Sequence, residues 1–326
     1  MMNLKVLILG CGSIGTRHAK NLRSIGIRNI ILCDKDKSRL ESLAKIIGTN
    51  LLYLDYKKAV RENKDISAAV ICTPTSYHMD QAMYFAKNKI NLFVEKPLSH
   101  NLYKTKNLQR LANSNKLVVM MGHSYMFEHG FIKLKSLLDK KILGSVYFVT
   151  YLQGQFLPDW HPYADYRLEY TARKELGGGA LLTLTSHSFY VLEWLFGKIK
   201  SLDGKIVTRA GHLDVNVDDS VFLLMRTDDD IIIQSQNNFI VPIHQHKIII
   251  EGEKGRMEFD FVGKKITIML RNKKDRIIDV DKGPNDRFVK EMSYFLTSLK
   301  NNNLDENLNL ESGIRFLNKM KSLLTS

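Results

Sequence analysis

A lysine flanked by a glutamate and a proline, Glu95-Lys96-Pro97, closes the apolar run Ile90-Asn91-Leu92-Phe93-Val94. That run reads as a strand, about the fifth in a series. In an open parallel sheet, ligands bind at the carboxyl ends of the strands. A lysine there can hydrogen-bond a ligand's hydroxyl or carbonyl and relay its proton. Alone, the tripeptide describes a surface lysine after a strand. It becomes a candidate site because the first strand of the series runs into Gly10-Cys11-Gly12-Ser13-Ile14-Gly15.

That glycine spacing follows a strand and opens a helix. The first glycine allows the tight turn, the second lets a pyrophosphate approach the backbone, and the third lets helix and strand pack closely. The N–H groups near Ser13 and Ile14, with the helix dipole, favour an anion. The second strand ends in Asp34, nineteen positions after Gly15. A carboxylate there can accept hydrogen bonds from an adenosine ribose and repel a 2′-phosphate. The expected cofactor is therefore NAD, with Lys35 and Lys37 near enough to keep NADP open. Thr73-Pro74 follows the fourth strand on the same edge, with His78 four residues on. Thr73 and Pro74 are expected to contact the ribose or nicotinamide half. His78 either joins them or packs the following helix.

These residues need a frame to hold them. Strands near residues 5–10, 29–33, 51–54, 67–72, 90–95 and 116–121 alternate with helices near 13–24, 37–47, 56–63, 77–87 and 99–113, where Ser99 is the expected N-cap. Such alternation predicts an α/β fold with a doubly wound parallel sheet. After Gly122 the pattern changes. A helix near 127–140, a strand near 145–155 and an aromatic-rich irregular stretch lead to a helix opened by Gly177-Gly178-Gly179. Strands near 198–209, 220–226, 231–238, 246–251 and 256–270 then follow without intervening helices, which predicts a mostly antiparallel sheet. Two helices, near 286–300 and 310–324, finish the chain. The expected domains are 1–122, binding the dinucleotide, and 123–326, binding substrate and forming oligomers.

The length, 326 residues, suits about two domains. No stretch reaches the roughly 18 consecutive apolar residues of a membrane helix, and Met1-Met2-Asn3-Leu4-Lys5 runs straight into a strand rather than a signal peptide. Cys11, Cys33 and Cys72 form neither a disulfide framework nor a metal spacing. The expectation is a cytoplasmic protein without metal or membrane contact. The net charge of +14 is scattered over expected helix faces, whereas nucleic-acid binders concentrate charge on one surface. We therefore expect no nucleic-acid partner. The positive field suits an anionic substrate such as a sugar nucleotide.

The chain resembles the Gfo/Idh/MocA family. The resemblance rests on Gly10–Gly15 continuing as Thr16-Arg17-His18-Ala19, on Thr73-Pro74 with His78, and on Glu95-Lys96-Pro97. It continues through Gly177-Gly178-Gly179-Ala180-Leu181-Leu182, His187 and Trp194-Leu195-Phe196-Gly197. It implies an N-terminal Rossmann domain and a C-terminal α/β domain whose open sheet forms a homodimer or homotetramer. It further implies reversible oxidation of a sugar or cyclitol hydroxyl by NAD(P), with Lys96 and His187 as the catalytic pair and Glu95 beside the cofactor. Where the family usually carries two aspartates, this chain has Thr183 and Tyr190. Thr183 and His187 are four apart and share a helix face, so Thr183 remains a substrate contact.

Pro158-Asp159-Trp160-His161-Pro162-Tyr163 with Asp165-Tyr166-Arg167 resembles relatives acting on nucleotide sugars or surface-glycan sugars. Trp160 could stack on a sugar or base, and Arg167 could pair with a carboxylate or phosphate. The same aromatics could instead pack the loop. His123, at the domain junction, is a further candidate for the pocket lining. His244 and His246 point to one face of a strand, read as an open face or subunit contact. The expected function is hydride transfer between NAD(P) and a hydroxyl or keto carbon of a sugar, cyclitol or nucleotide sugar. The alternatives are an epimerase- or glycosidase-like enzyme that retains NAD without net redox change, and a non-catalytic ligand sensor.

Overall fold

The structure, a computed structural model, describes residues 4–162, 164–209, 211 and 213–324. Its contacts divide the chain into two compact units, 1–124 with 285–317, and 125–284 with 318–326.

In the first unit, β1 (Lys5–Leu9), α1 (Ser13–Ser24), β2 (Asn29–Cys33), α2 (Lys37–Ile47) and β3 (Leu52–Tyr53) form one half. The other half is α3 (Tyr56–Glu62), β4 (Ala68–Ile71), α4 (Thr75–Lys87), β5 (Asn91–Glu95), α5 (Thr105–Ser114) and β6 (Val119–Gly122). The strand order is β3-β2-β1-β4-β5-β6, and every pair is parallel. Val6, Leu7, Ile8 and all of β4 are fully buried, because helices cover both faces of such a sheet. The order reverses between β1 and β4, and the ends of those two strands carry the glycine loop and Thr73. Ser99 does not cap a helix: α5 begins six residues later, and the Ser99 Oγ receives only a long bond from the Asn101 N–H, 3.4 Å.

Two glycines make this crossing feasible. Gly10 sits at φ +95, and a Cβ there would press on the Cys72 carbonyl at 2.8 Å. A Cβ on Gly15 would collide with the Gly10 carbonyl oxygen, so α1 can lie this close to β1 only with glycine at that position.

In the second unit, α6 (His129–Asp139) and β7 (Val146–Gly154) precede a π-helical segment, Leu181–Thr185, that runs into α7 (Ser186–Phe196). Then come β8 (Ile199–Val207), β9 (Ser220–Thr227), β10 (Ile232–Asn238), β11 (Gln245–Gly252), β12 (Gly255–Asp260), β13 (Lys265–Leu270) and β14 (Arg276–Asp279). They form one sheet ordered β14-β13-β12-β11-β7-β10-β9-β8, antiparallel except for β7 with β10. Along β9, Val221, Leu223 and Met225 are buried while Phe222, Leu224 and Arg226 are exposed, the alternation of a sheet with one covered face.

The last helices depart from the expected division. α8 (Asp286–Asn301) and α9 (Leu310–Lys319) follow the second unit in sequence, yet α8 and most of α9 belong to the first. The cause is the apolar face of α8. Phe295 packs edge-on to Phe93 of β5 at 5.5 Å, and Phe288 meets His18 of α1. Asn285 Nδ2 donates to Asn21 Oδ1 at 2.9 Å where the chain returns. No helix among the described residues is long and apolar enough to cross a membrane.

Candidate functional site

In the first unit the site begins at the glycine loop. Gly12 precedes α1 and no side chain caps the helix, so its first N–H groups are not satisfied by a cap. Asp34 lies across the loop. Its Oδ2 accepts from the Cys11 N–H at 2.6 Å and its Oδ1 from the Asp36 N–H at 2.8 Å. The carboxylate thus fixes the loop's shape at the place where a ribose would need an acceptor. A backbone cradle with no room for a Cβ at Gly10 or Gly15, an uncapped helix N-terminus and an acid at the end of β2 together fit a dinucleotide. Gly10, Gly12, Ser13, Ile14, Gly15 and Asp34 are the residues that would hold it. Cys11 lies within the loop, but burial and the nearby Asp34 push its thiol up to about 12, so it is not a nucleophile at neutral pH.

Thr73 Oγ1 donates to Gln81 Oε1 at 2.6 Å. His78 is buried, with one ring nitrogen 2.9 Å from the Pro97 carbonyl and the other 2.8 Å from the Thr73 carbonyl. Its imidazole joins the loops after β4 and β5, the loops that carry Thr73 and Lys96.

Lys96 follows β5, and its peptide bond to Pro97 is cis. Burial pushes its ammonium down to about 8, against the opposing pull of Glu95. From an ordinary value of 10.5, that displacement multiplies the neutral amine present at pH 7 about 300-fold. Glu95 is itself anchored: His18 Nε2 lies 2.7 Å from its Oε1, and the Lys96 N–H donates to its Oε2 at 3.3 Å. A Cβ on Gly122 would lie 3.1 Å from that second oxygen, so a small residue there leaves the carboxylate room. Sequence reasoning missed the His18 contact. The available signal was a histidine on the apolar stripe of Gly15, Ala19 and Leu22.

Glu291 of α8 was missed as well. It is fully buried, and its two carboxyl oxygens accept no hydrogen bond among the described residues. Burial, and next to it the charge of Glu95, push its carboxyl well above the usual range, with Arg287 opposing. Its carboxyl is therefore shifted toward the neutral acid. His123 is buried with Nε2 3.3 Å from Ser312 Oγ, and burial takes its imidazole down to about 3. It is thus a neutral group turned toward α9.

In the second unit, Asp218 clamps the segment that carries the expected residues. Its Oδ2 accepts from the Leu181 N–H at 2.7 Å and its carbonyl from the Ala180 N–H at 3.0 Å. Burial raises its carboxyl to about 6 despite those bonds. Gly179, at φ +100, has no space for a Cβ because the Asp218 carboxylate lies there. Thr183 is buried, and its Oγ1 donates back to the Gly179 carbonyl at 2.6 Å. His187, in the first turn of α7, stacks on Tyr125 with centroids 4.5 Å apart and planes 25° apart.

The residues of the aromatic stretch make contacts within the second unit. Trp160 packs edge-on to Phe239 at 5.2 Å. Arg167 makes a forked pair with Asp165 at 2.7–3.1 Å, which holds its guanidinium well above its ordinary range. An acid two residues before the arginine thus supplies it with a bidentate partner. Tyr163 lies outside the described residues. His246 is buried and bonded to Tyr151 rather than open to a subunit, whereas His244 is exposed.

Residues 4–123 match the model of an oxidoreductase family with an NAD-binding Rossmann fold, and residues 131–258 match that of the GFO/IDH/MocA C-terminal domain. The myo-inositol 2-dehydrogenase of Thermotoga maritima is 24% identical over 84% of this chain and 80% of its own. Among solved structures, levoglucosan dehydrogenase in complex with NADH and levoglucosan superposes with a TM-score of 0.85 at 15% identity. It covers 100% of this chain and 97% of its own. The UDP-N-acetylglucosamine 3-dehydrogenase of Acidithiobacillus ferrooxidans has a TM-score of 0.81 at 17% identity, over 100% of this chain and 98% of its own.

Glu291 carries a stability prediction. A carboxyl whose folded-state value is raised contributes fully below its unfolded value, about 4.3, and loses that contribution as pH rises above it. Glu291→Gln removes the loss. The melting temperature of the variant relative to the unmodified protein should therefore increase from pH 5 to pH 8. A difference that stays flat or shrinks over that interval contradicts a neutral Glu291.

Proposed function

Because the chain belongs to the Gfo/Idh/MocA family of oxidoreductases, we propose that it oxidises a hydroxyl of a sugar, cyclitol or nucleotide sugar with NAD, and reduces the ketone in reverse. The observation that carries the reading is Lys96: a half-buried lysine with its ammonium lowered to about 8, after a strand of the same parallel sheet whose β1 runs into the glycine cradle. The named relatives act on inositol, levoglucosan and a UDP-sugar, and these set the substrate class to be screened.

Bound NAD supplies the hydride acceptor. Lys96, as the neutral amine, takes the proton of the substrate hydroxyl as its carbon is oxidised, and returns it in the reverse direction. General acid–base help of this kind is worth about 10²–10⁴ in rate. His187 is the second proton-handling residue in this reading, and Thr183 a neighbour on the same helical segment. Glu95, held by His18, keeps Lys96 from being neutralised too far. The lowered lysine favours an enzyme over a ligand sensor, since a sensor has no use for a proton acceptor titrating near neutrality.

The eight-stranded sheet presents Phe148, Phe222 and Leu224 on its exposed face. We assign this face to self-association as a dimer or tetramer, because symmetric pairing covers an apolar face twice at once. Light scattering should give a multiple of the 37.5 kDa chain mass. A particle of one chain mass across micromolar concentrations contradicts the assignment.

The catalytic reading is tested by NADH formation across a panel of myo-inositol, levoglucosan and UDP-N-acetylglucosamine. Lys96→Ala should lose about 10²–10⁴ in turnover while still binding NAD. In the oxidative direction kcat/KM should rise with pH through about 8, as Lys96 loses its proton. Glu95→Gln removes the charge that raises Lys96, so the rising limb should move to lower pH. A shift to higher pH, or turnover at the unmodified rate in Lys96→Ala, contradicts the mechanism.

A further inference from the structure

A continuous set of buried polar groups in the second unit ends at the ring on which His187 rests. His246 Nε2 lies 2.7 Å from Tyr151 Oη. The Tyr151 hydroxyl donates to Gln153 Oε1 at 3.0 Å, and Gln153 Nε2 donates to Tyr125 Oη at 3.3 Å. Tyr151, Gln153 and His246 are all buried. Tyr151 and Gln153 are two apart on β7 and share a face, and His246 of β11 is the register partner of Gln153. The sheet therefore fixes three of the four members, and Tyr125 follows β6 in a 3₁₀ turn over Ser124–Phe127.

The bonding has one direction. Tyr151 has a single hydroxyl proton, and it goes to the Gln153 carbonyl oxygen. Its oxygen can then only accept from His246, which must carry a proton on Nε2. Gln153 passes the direction on by donating from its amide nitrogen to Tyr125. The Tyr125 ring is held from other sides as well, near-parallel to Phe131 at 5.3 Å and 22° and tilted against Phe261 at 5.5 Å. A rigid, satisfied network of this kind specifies one arrangement. What it specifies is the plane that stacks on His187 at 4.5 Å and 25°.

His187 needs such a plane. It follows the π-helical segment Leu181–Thr185, a widened turn of a kind frequent at functional sites, and an imidazole can rotate about two side-chain bonds. Proton transfer requires one ring nitrogen to be aimed, and a misplacement of about 1 Å can cost 10²-fold in rate. We propose that Tyr125 is a positioning residue for His187, and that the chain from His246 through Tyr151 and Gln153 sets the orientation of Tyr125. This rests on the reading of His187 as a proton-handling residue.

The test compares Y125F, Y125L and H187A with the unmodified protein. The readouts are turnover with the active member of the substrate panel, KM for NAD, and the imidazole carbon-bound protons of His187 in protein labelled with ¹³C-histidine. Y125L should lower kcat about 10²-fold with KM for NAD unchanged, and should move the His187 protons out of the ring-current field of Tyr125. Y125F, which keeps the ring, should recover at least tenfold of the lost turnover and retain most of the shift. Combining Y125L with H187A should be no worse than H187A alone, since a positioning residue acts only through its client. Y125M fills the volume with a flexible chain and carries the same comparison if Y125L fails to fold.

Turnover at the unmodified rate in Y125L or Y125M, with H187A inactive, overturns the positioning role and leaves the reading of His187 standing. Full activity in H187A overturns the reading of His187 itself. Unchanged His187 proton shifts in the ring-deleted variants overturn the stacking role whatever substrate is used.

Discussion

A half-buried ammonium group next to a carboxylate is the constraint on which the first unit is organised. Burial alone drives a lysine toward neutrality, and a partner carboxylate drives it back. Here burial is the larger effect, with Glu95 setting the limit. Glu95 can do so only if it is held, and His18 of α1 holds it at 2.7 Å. The helix that opens the glycine loop therefore also fixes the charge beside the lysine. Gly122 leaves the carboxylate space, and Glu291, shifted toward the neutral acid, avoids adding a second negative charge in the same interior. The glycine loop and the environment of Lys96 are thus two consequences of one packing arrangement.

The second unit solves a different problem. It presents a histidine from a helix whose opening is irregular, and irregular backbone must be tied down. Asp218 does this through the Leu181 N–H, and Thr183 through the Gly179 carbonyl. The back-bond of Thr183 occupies its hydroxyl proton within its own segment. A carboxylate at so buried a position would bring a desolvation cost that the threonine does not.

Much of this was legible in the residues. The glycine spacing, Asp34 and Lys96 lie at the ends of short apolar runs that alternate with helical spacings, and the parallel sheet follows from that alternation. Long-range partners were not legible, because spacing carries no information about which distant side chain meets a given one. His18 with Glu95, Asp218 with Leu181, and His246 with Tyr151 are all of this kind. The return of α8 to the first unit was hidden for the same reason: its apolar face reads as a helix face with no indication of its destination. Arg167 is the opposite case. Its ion pair with Asp165 is local and legible from the two-residue separation. Ser99 was misread because a cap needs the helix to begin just after it, and α5 starts six residues on.

The protonation of Lys96 can be observed directly. In protein labelled at the lysine side-chain nitrogen, with the resonance assigned by Lys96→Arg, Lys96 should titrate near 8, well below the ordinary 10.5, and lower still in Glu95→Gln. A Lys96 that titrates near 10.5 in the unmodified protein would contradict the claim that its burial makes it a proton acceptor at neutral pH.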